Sequence, residues 1–300
     1  MELKSFKAVL CGISLLLFSL PSLSDAVKNK VVAILYPSTS SETGVIYNQI
    51  IKGISTNTDK FFKKKIKITS DNHNEIKQWI LDAPPFSIIT IGNDAYELAR
   101  STTSKIFIFM VGTLITNTNN DKPGVSLSLR EDSLKEKIRF YLPSIQKIHI
   151  LDEGKNTIYF SNSLYRPHFK LKKIIDINES VKYLWKLINT VDPKIEAVWV
   201  NNSIDPEYLH RLAERAWERD VILLSHNPAH LERGVALVFY PDFKSMGERV
   251  GQLLKRLQNT RKLGSLEPLE AINLGINMRT ARHLGVSPLI PKEKFKIILK

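Results

Sequence analysis

The stretch VVAILYPSTSSETG, residues 31–44, indicates the fold class of the chain. Its apolar run at 31–36 predicts a strand buried on both faces, which is typical of a parallel sheet. Residues with hydroxyl or carboxylate side chains follow at 38–43, and apolar residues then recur at helical spacing between positions 45 and 54. A buried strand that passes through a polar turn into a helix is the repeating unit of α/β proteins.

The polar turn lacks the composition of a nucleotide-binding loop. A P-loop needs glycines and a lysine, and a dinucleotide-binding turn needs several glycines, so that backbone N–H groups approach the phosphates closely. Residues 37–44 contain one glycine and no lysine. The hydroxyl groups and the start of the following helix are still suited to a carboxylate or another small anion.

Strand and helix alternate along the rest of the chain. Further strands are predicted at 65–69, 86–91, 105–111, 125–129, 146–151, 169–177, 197–200, 221–225, 234–240 and 269–277, and helices at 74–82, 94–100, 131–142, 179–189, 206–219, 243–258 and 279–284. This order predicts an α/β fold with parallel sheets and helices on both faces. The chain is long enough for two lobes, and the polar stretch TNTNNDKPG at 116–124 is interpreted as the first passage between them.

The N-terminus has the three parts of a secretory signal peptide. A basic segment, MELKSFK, precedes an apolar run at 8–20, and a polar segment then ends with the small residues Ser24 and Ala26. The apolar run is shorter than the roughly 20 residues that a membrane-spanning helix needs. We therefore expect residues 1–26 to be removed and the protein to be periplasmic or otherwise exported, with an uncleaved anchor as the alternative. Cys11 lies inside the apolar run, which argues against a lipoprotein cleavage site.

The composition restricts the partners of the chain. Residues 27–300 contain no cysteine, so the exported protein would do without disulfides in an oxidising compartment. The net charge of +13 favours an anionic membrane face, an acidic partner or an anionic ligand. Nucleic acid is not expected, because an exported protein rarely meets it. A basic surface without a specific partner is the alternative.

The sequence shows no pattern of a catalytic or metal site. Residues 27–300 have no thiol, no GxSxG nucleophile elbow and no HExxH motif. His226 and His230 are spaced as in a zinc-binding helix, but Pro228 between them disfavours that helix. We expect no catalytic residue, no metal and no cofactor.

Candidate binding residues follow the predicted strands, because ligands of open α/β sheets bind beyond the carboxyl ends of the strands. These residues are small or carry hydroxyl or amide groups, which form hydrogen bonds without being reactive. Turn and cap formation is the alternative role for each of them. The candidates are Ser38, Thr39, Ser40, Ser41, Gly92, Asn93, Gly112, Thr113, Asn201, Asn202 and Ser225.

Four stretches carry a resemblance to a known family. They are KIFIFMVG…KPGVSLSL at 105–129, YLPSIQKIHIL at 141–151, GVALVFYPDFKSMGERVGQLLKRL at 234–257 and LEAINLGINMRTARHLGV at 269–286. The chain resembles the ABC-transporter substrate-binding proteins, in the group that includes tryptophan-binding members with the type I periplasmic-binding fold. The resemblance implies two doubly wound parallel-sheet lobes, joined by hinge strands, that close over a small ligand.

The resemblance also implies lobe boundaries and further site residues. The first lobe is expected to be 27–115 plus 241–268, and the second 116–240 plus 269–300. The strand-end residues named above match the ligand-binding positions of the family, and Tyr240 and Asp242 match the return crossing.

The function implied by the resemblance is that of an exported, monomeric solute-binding protein. It would capture a small polar or aromatic, amino-acid-like metabolite and present it to a membrane permease or sensor. The segment 151–169 departs from the family, because Gly154 and Pro167 stand where a full helix usually lines the cleft. The alternative is therefore a non-catalytic interaction protein with a degenerate ligand cleft that binds an acidic protein or a membrane surface.

Overall fold

The computed structural model describes residues 30–39, 41–116, 121–152, 157–160, 168–174, 176–262, 264–286 and 295–300. The predicted signal peptide, residues 1–26, and most of the atypical segment 151–169 lie outside the described residues. The strands are β1 (Lys30–Pro37), β2 (Phe61–Ile68), β3 (Ser87–Ile91), β4 (Phe107–Val111), β5 (Gly124–Arg130), β6 (Lys147–Asp152), β7 (Ile158–Tyr159), β8 (Phe169–Lys173), β9 (Glu196–Val200), β10 (Ile222–Ser225), β11 (Leu237–Pro241), β12 (Leu266–Leu269), β13 (Ile272–Asn277) and β14 (Ile297–Leu299).

Helices alternate with these strands, as the sequence predicted. They are α1 (Ser41–Thr56), α2 (His73–Asp82), α3 (Asn93–Thr102), α4 (Glu131–Tyr141), α5 (Ile177–Thr190), α6 (Pro206–Glu218), α7 (Phe243–Thr260) and α8 (Met278–His283), with a 3-10 helix at Pro228–Arg233. No helix of the described residues is long and apolar enough to cross a membrane.

The strands form two sheets. The first sheet has the order β12-β5-β4-β3-β1-β2, with β7 paired to β5, and all of its pairs are parallel. The second sheet has the order β14-β13-β11-β10-β9-β6-β8, and only β11 and β13 pair antiparallel. Each sheet, with the helices packed on it, is called a lobe below.

Apolar side chains cover both faces of each sheet. In β1, residues 32–35 have no exposed surface, because α1 and α7 cover one face of the first sheet while α2 and α3 cover the other. In the second sheet, α4 and α8 contribute to the core on one face, and α5, α6 and the 3-10 helix to the core on the other. These layers explain the continuous apolar runs from which the sequence predicted a parallel α/β fold.

The chain passes between the two sheets several times, because β7 of the first sheet lies in the chain between β6 and β8 of the second. Three of these connections lie at the carboxyl ends of the parallel strands. Strand β5 leads into α4, β11 leads into α7, and β12 leads into β13. Pro241 at the end of β11 pairs with Ile272 at the start of β13, so the third connection enters the second sheet at the same edge. The carboxyl edges of both sheets therefore lie at the connections between the lobes.

Strand pairing shifts one of the expected boundaries. Strand β5 pairs with β4 in the first sheet, although 116–240 was expected in the second lobe, so the first connection follows Arg130 instead of crossing at 116–124. The strand expected at 269–277 is β13 of the second sheet, which begins at Ile272, and β12 of the first sheet ends at Leu269. Apolar periodicity predicts that a segment is a strand, but it carries no information on which sheet the strand joins.

Helices α1 and α7 meet at a contact made by glycines. A Cβ atom on Gly53 would lie 2.0 Å from the carbonyl oxygen of Lys244, and one on Gly247 would lie 2.0 Å from that of Ile50. Only residues without a side chain allow the two backbones to approach this closely. The contact fixes α7, which follows a strand of the second sheet, against the first lobe.

Candidate functional site

The first-lobe wall of the candidate site consists of the turns after β1, β3 and β4, which are neighbours in the sheet. Gly92 and Gly112 have φ angles of +87° and +73°, so a residue with a side chain would be strained at both turns. The side chains of Ser38, Thr39 and Asn93 are exposed on this wall. Ser40 and the side chain of Ser41 lie outside the described residues.

Thr113 lies in the turn after β4. Its carbonyl oxygen accepts hydrogen bonds from the N–H of Leu127 (2.8 Å) and the hydroxyl of Ser126 (2.7 Å), which fixes the turn after β4. Its own Oγ1 is buried and has no hydrogen-bond partner among the described residues. A polar atom held in this way is available to a bound molecule.

Tyr47 and Asp94 lie beside the same turns. Burial raises the pKa of the Tyr47 phenol, and the nearby negative charge of Asp94 raises it further. A Cβ atom on Gly92 would lie 3.9 Å from the Tyr47 hydroxyl, so α1 brings this tyrosine to the β3 turn. Tyr47 was not among the sequence candidates, but it precedes Ile50, Ile51 and Ile54 on the apolar face of α1.

The second-lobe wall consists of the turns after β9 and β10. Asn201 is 7% exposed, and its Nδ2 donates to the carbonyl oxygen of Leu151 (2.8 Å). Its Oδ1 is buried without a hydrogen-bond partner among the described residues. Asn202, the next residue, is exposed.

Ser225 forms hydrogen bonds inside its own lobe. Its Oγ accepts the N–H of Asn227 (3.1 Å) and lies 2.8 Å from Nδ1 of His230. Burial lowers the pKa of His230 to about 4, so the imidazole is neutral near pH 7. Because Ser225 has no exposed surface, this contact supports the β10 turn and does not present a nucleophile.

His226 and Trp199 form a flat pair at this edge. Their ring planes are 5° apart with centroids 6.3 Å apart, and Phe239 stacks on Trp199 from β11. Burial lowers the pKa of His226 to about 4, with a smaller contribution from His230. Nδ1 of His226 and Nε1 of Trp199 are buried and have no hydrogen-bond partner among the described residues.

Tyr240 and Asp242 lie at the second connection. Tyr240 is 8% exposed, and burial together with the charge of Asp242 raises its pKa to about 12. Asp242 caps α7 by accepting the N–H groups of Lys244 and Ser245 (both 3.1 Å), and its own N–H donates to Ala271 (3.0 Å). These contacts tie two connections together, which gives Asp242 a structural role at the hinge.

An ion pair and a cavity mark the outer side of the connections. Arg130 Nη1 lies 2.9 Å from a carboxylate oxygen of Glu270, joining the end of β5 to the segment between β12 and β13. A cavity of about 450 Å³ lies beside this pair, with α7 residues and segment 267–271 in its lining. The predicted strand-end residues are not among its lining residues.

The described candidates thus form two groups, one at the strand ends of each sheet. Gly92, Gly112 and Thr113 belong to the first wall, and Asn201 and Ser225 to the second. Among the described residues, no cluster of three His, Cys, Asp or Glu side chains could hold a metal ion.

Comparisons with known proteins identify the fold. Neither a protein-family model nor a curated protein matches the chain. Among solved structures, the chain matches a substrate-binding protein with adhesive properties from Clostridium difficile in its ligand-free, open form. The TM-score is 0.63 and the sequence identity is 13%, and the match covers 90% of this chain and 99% of that one. An ABC domain from Streptococcus pneumoniae in complex with L-Trp matches with a TM-score of 0.50 and 14% identity, covering 90% and 100%.

The chain has the type I periplasmic-binding fold. The fold resemblance predicted from the sequence is therefore confirmed, and with it the arrangement of two mostly parallel α/β sheets.

Proposed function

We propose that this chain is an exported solute-binding protein. It captures a small polar or aromatic, amino-acid-like metabolite between its lobes and presents it to a membrane transporter or sensor. The observation that supports this proposal is that both walls contain buried polar atoms without a hydrogen-bond partner among the described residues. These atoms are Oγ1 of Thr113 on the first wall, and Oδ1 of Asn201 and Nδ1 of His226 on the second.

These atoms favour a ligand because unpaired buried groups are costly. A buried donor or acceptor without a partner destabilises a fold by roughly 1–3 kcal/mol. A ligand that hydrogen-bonds to groups on both walls would remove this cost only when the lobes close over it, which couples binding to closure.

The aromatic residues narrow the ligand class. The His226 imidazole is neutral near pH 7 and half-buried, and it is held flat by Trp199. A flat, uncharged group of a ligand can stack on such a surface. The L-Trp complex among the structural matches is consistent with this class of ligand.

A melting experiment tests the proposal. Residues 27–300 would be purified, unfolded and refolded to remove any bound molecule, and melted with amino acids, nucleobases, sugars and small anions. A ligand at 100 times its dissociation constant adds about 2.7 kcal/mol to the free energy of unfolding. A rise in melting temperature with one chemical class supports the proposal, and no rise across the panel contradicts it.

Two substitutions locate the ligand. Thr113→Val removes an unpaired hydroxyl at nearly constant shape, so we expect unchanged or higher stability without ligand and a smaller shift with the most stabilising compound. Asn201→Ala should reduce the same shift, whereas Asn202→Ala, at the adjacent exposed position, should not. Equal shifts in all three variants would place the ligand elsewhere.

The second candidate function is that of an interaction protein with a degenerate cleft. The net charge of +13 favours it, because an amino-acid-like ligand does not require so basic a protein. It predicts no response to small molecules and an association with an acidic protein or a membrane surface that salt weakens.

A further inference from the structure

The outer edge of the first sheet carries an unusual concentration of positive charge. Strand β2 pairs only with β1, so its other side is free of strand partners among the described residues. Its sequence with the preceding residue is KFFKKKIKI, residues 60–68, which has five lysines and no acidic residue. Lys60, Lys65 and Lys67 are exposed, and the ion pairs of the described lysines involve Lys122, Lys147 and Lys244 instead.

Apolar side chains are exposed next to these lysines. Phe62 is 60% exposed within β2, and Leu81 near the end of α2 is also 60% exposed. The Lys64 amino group lies 3.9 Å from the centre of the Trp79 ring, so α2 runs back along this face of β2. That direction brings Leu81 to the same end of β2 as Phe62.

The first residues of β1 lie at this end as well. Lys30 pairs with Phe61, and its amino group lies 4.7 Å from the centre of the Phe86 ring. We call residues 60–68 with Lys30 and Leu81 the basic edge.

Protection against strand addition does not explain the basic edge completely. Lysines are common on edge strands because they hinder pairing with other chains. Strand β8, the corresponding edge of the second sheet, has exposed Lys170, Lys172 and Lys173, but its Phe169 is 4% exposed. Strand β2 differs because it exposes an aromatic ring among its lysines. Lysines alone are enough to hinder pairing with another chain, so that role does not require the exposed ring.

We propose that the basic edge docks on a bilayer that contains anionic lipids. A flat surface that meets the edge of a sheet contacts side chains from both faces of the edge strand. Lysines gain about 1 kcal/mol each near an anionic membrane surface, and an exposed Phe or Leu can enter the boundary of the acyl chains. The acidic residues Asp59, Asp71 and Asp82 flank the edge and do not attract anionic headgroups. The attraction to the lipid headgroups therefore comes from the lysines of β2 itself.

Vesicle flotation with residues 27–300, which retain every described element, tests the proposal. We expect binding to phosphatidylcholine vesicles with about one third phosphatidylglycerol, weak binding to phosphatidylcholine alone, and loss of binding in high salt. Changing Lys60, Lys65 and Lys67 to Gln should weaken binding roughly 100-fold, at about fivefold for each lysine.

A matched triple variant controls for net charge. Lys170→Gln, Lys172→Gln and Lys173→Gln removes the same charge from the edge strand of the second sheet and should leave most of the binding intact. Phe62→Ser should weaken binding, whereas Phe140→Ser, at a position 65% exposed on α4, should not. The melting temperature of every variant would be measured first. If a triple variant is destabilised, vesicle binding of the single substitutions at the same lysines tests the proposal instead.

Three results would overturn the proposal. The first is the absence of binding to anionic vesicles at low salt. The second is equal weakening by the two triple variants, which would mean that only net charge matters. The third is binding to soluble polyglutamate that is as tight as binding to vesicles, which would identify an acidic protein as the partner. None of these results depends on whether the cleft binds a metabolite.

Discussion

Replacing Gly247 with alanine tests the role of the contact between α1 and α7. The new Cβ would lie 2.0 Å from the carbonyl oxygen of Ile50, whereas ordinary contact begins near 3.4 Å, so the helices would have to separate by about 1.4 Å. The obstacle is a backbone carbonyl group, which cannot move aside as a side chain does by changing its rotamer. Overpacking of this kind costs about 1–3 kcal/mol and occasionally more, and we expect a value near 3 kcal/mol.

The assay is thermal unfolding followed by circular dichroism, with a control glycine in the partner helix α1. A loss of 3 kcal/mol corresponds to a decrease in melting temperature of roughly 6–12 °C for a protein of this size. Gly44 is in α1, and no atom beyond its chain neighbours and the backbone of its own helix turn lies within 4 Å of its Cβ position, so Gly44→Ala should stabilise by about 0.5–1 kcal/mol. Equal effects of the two substitutions, or a loss below about 0.5 kcal/mol for Gly247→Ala, would refute this reasoning.

Three further predictions concern pH, the hinge and a helix cap. Since burial lowers the pKa of His226 and His230 from 6.5 to about 4, the unfolded state binds more protons below pH 6.5. The free energy of unfolding should therefore be highest above pH 6.5 and fall toward pH 4, by up to about 1.4 kcal/mol per pH unit for each histidine. In urea unfolding, the free energy of His226→Gln should depend less steeply on pH than that of the unchanged protein. Glu270→Gln should change the free energy of unfolding by less than about 1 kcal/mol, because its ion pair with Arg130 is exposed; a loss above 2 kcal/mol in urea would contradict this. Asp205→Ala should cost about 1 kcal/mol in the same assay, since the Asp205 side chain accepts the N–H of Glu207 and caps α6; no loss would contradict it.

Element types could be predicted from the sequence because apolar periodicity reports burial directly. The run at 31–36 became β1 with one more residue at each end, and the Asp205 cap and Pro206 marked the start of α6. Strand β2 was predicted only in part, at 65–69, because lysines at 63–65 hide its alternation. Lysines are tolerated there because β2 is an edge strand, and edge position is set by topology.

The sequence selected positions for the candidate site, and the structure adds the hydrogen-bond partners of their side chains. The rule that ligands bind at the carboxyl ends of strands selected Thr113 and Asn201, which the structure shows with unpaired polar atoms. The same rule selected Ser225, and the family resemblance added Asp242. The side chains of both form hydrogen bonds within the protein. Residue type alone cannot separate these cases, because a side chain's partners are set by contacts between segments far apart in the sequence.

The contact between α1 and α7 also bears on the order of events during synthesis. Asn57 donates a hydrogen bond to the carbonyl oxygen of Glu248, 191 residues later in the chain. The first lobe therefore lacks one of its helices and strand β12 until most of the polypeptide has been made. Contacts between such distant segments slow folding. The N-terminal portion of a nascent chain is therefore outside the ribosome for much of synthesis before its own lobe can be completed.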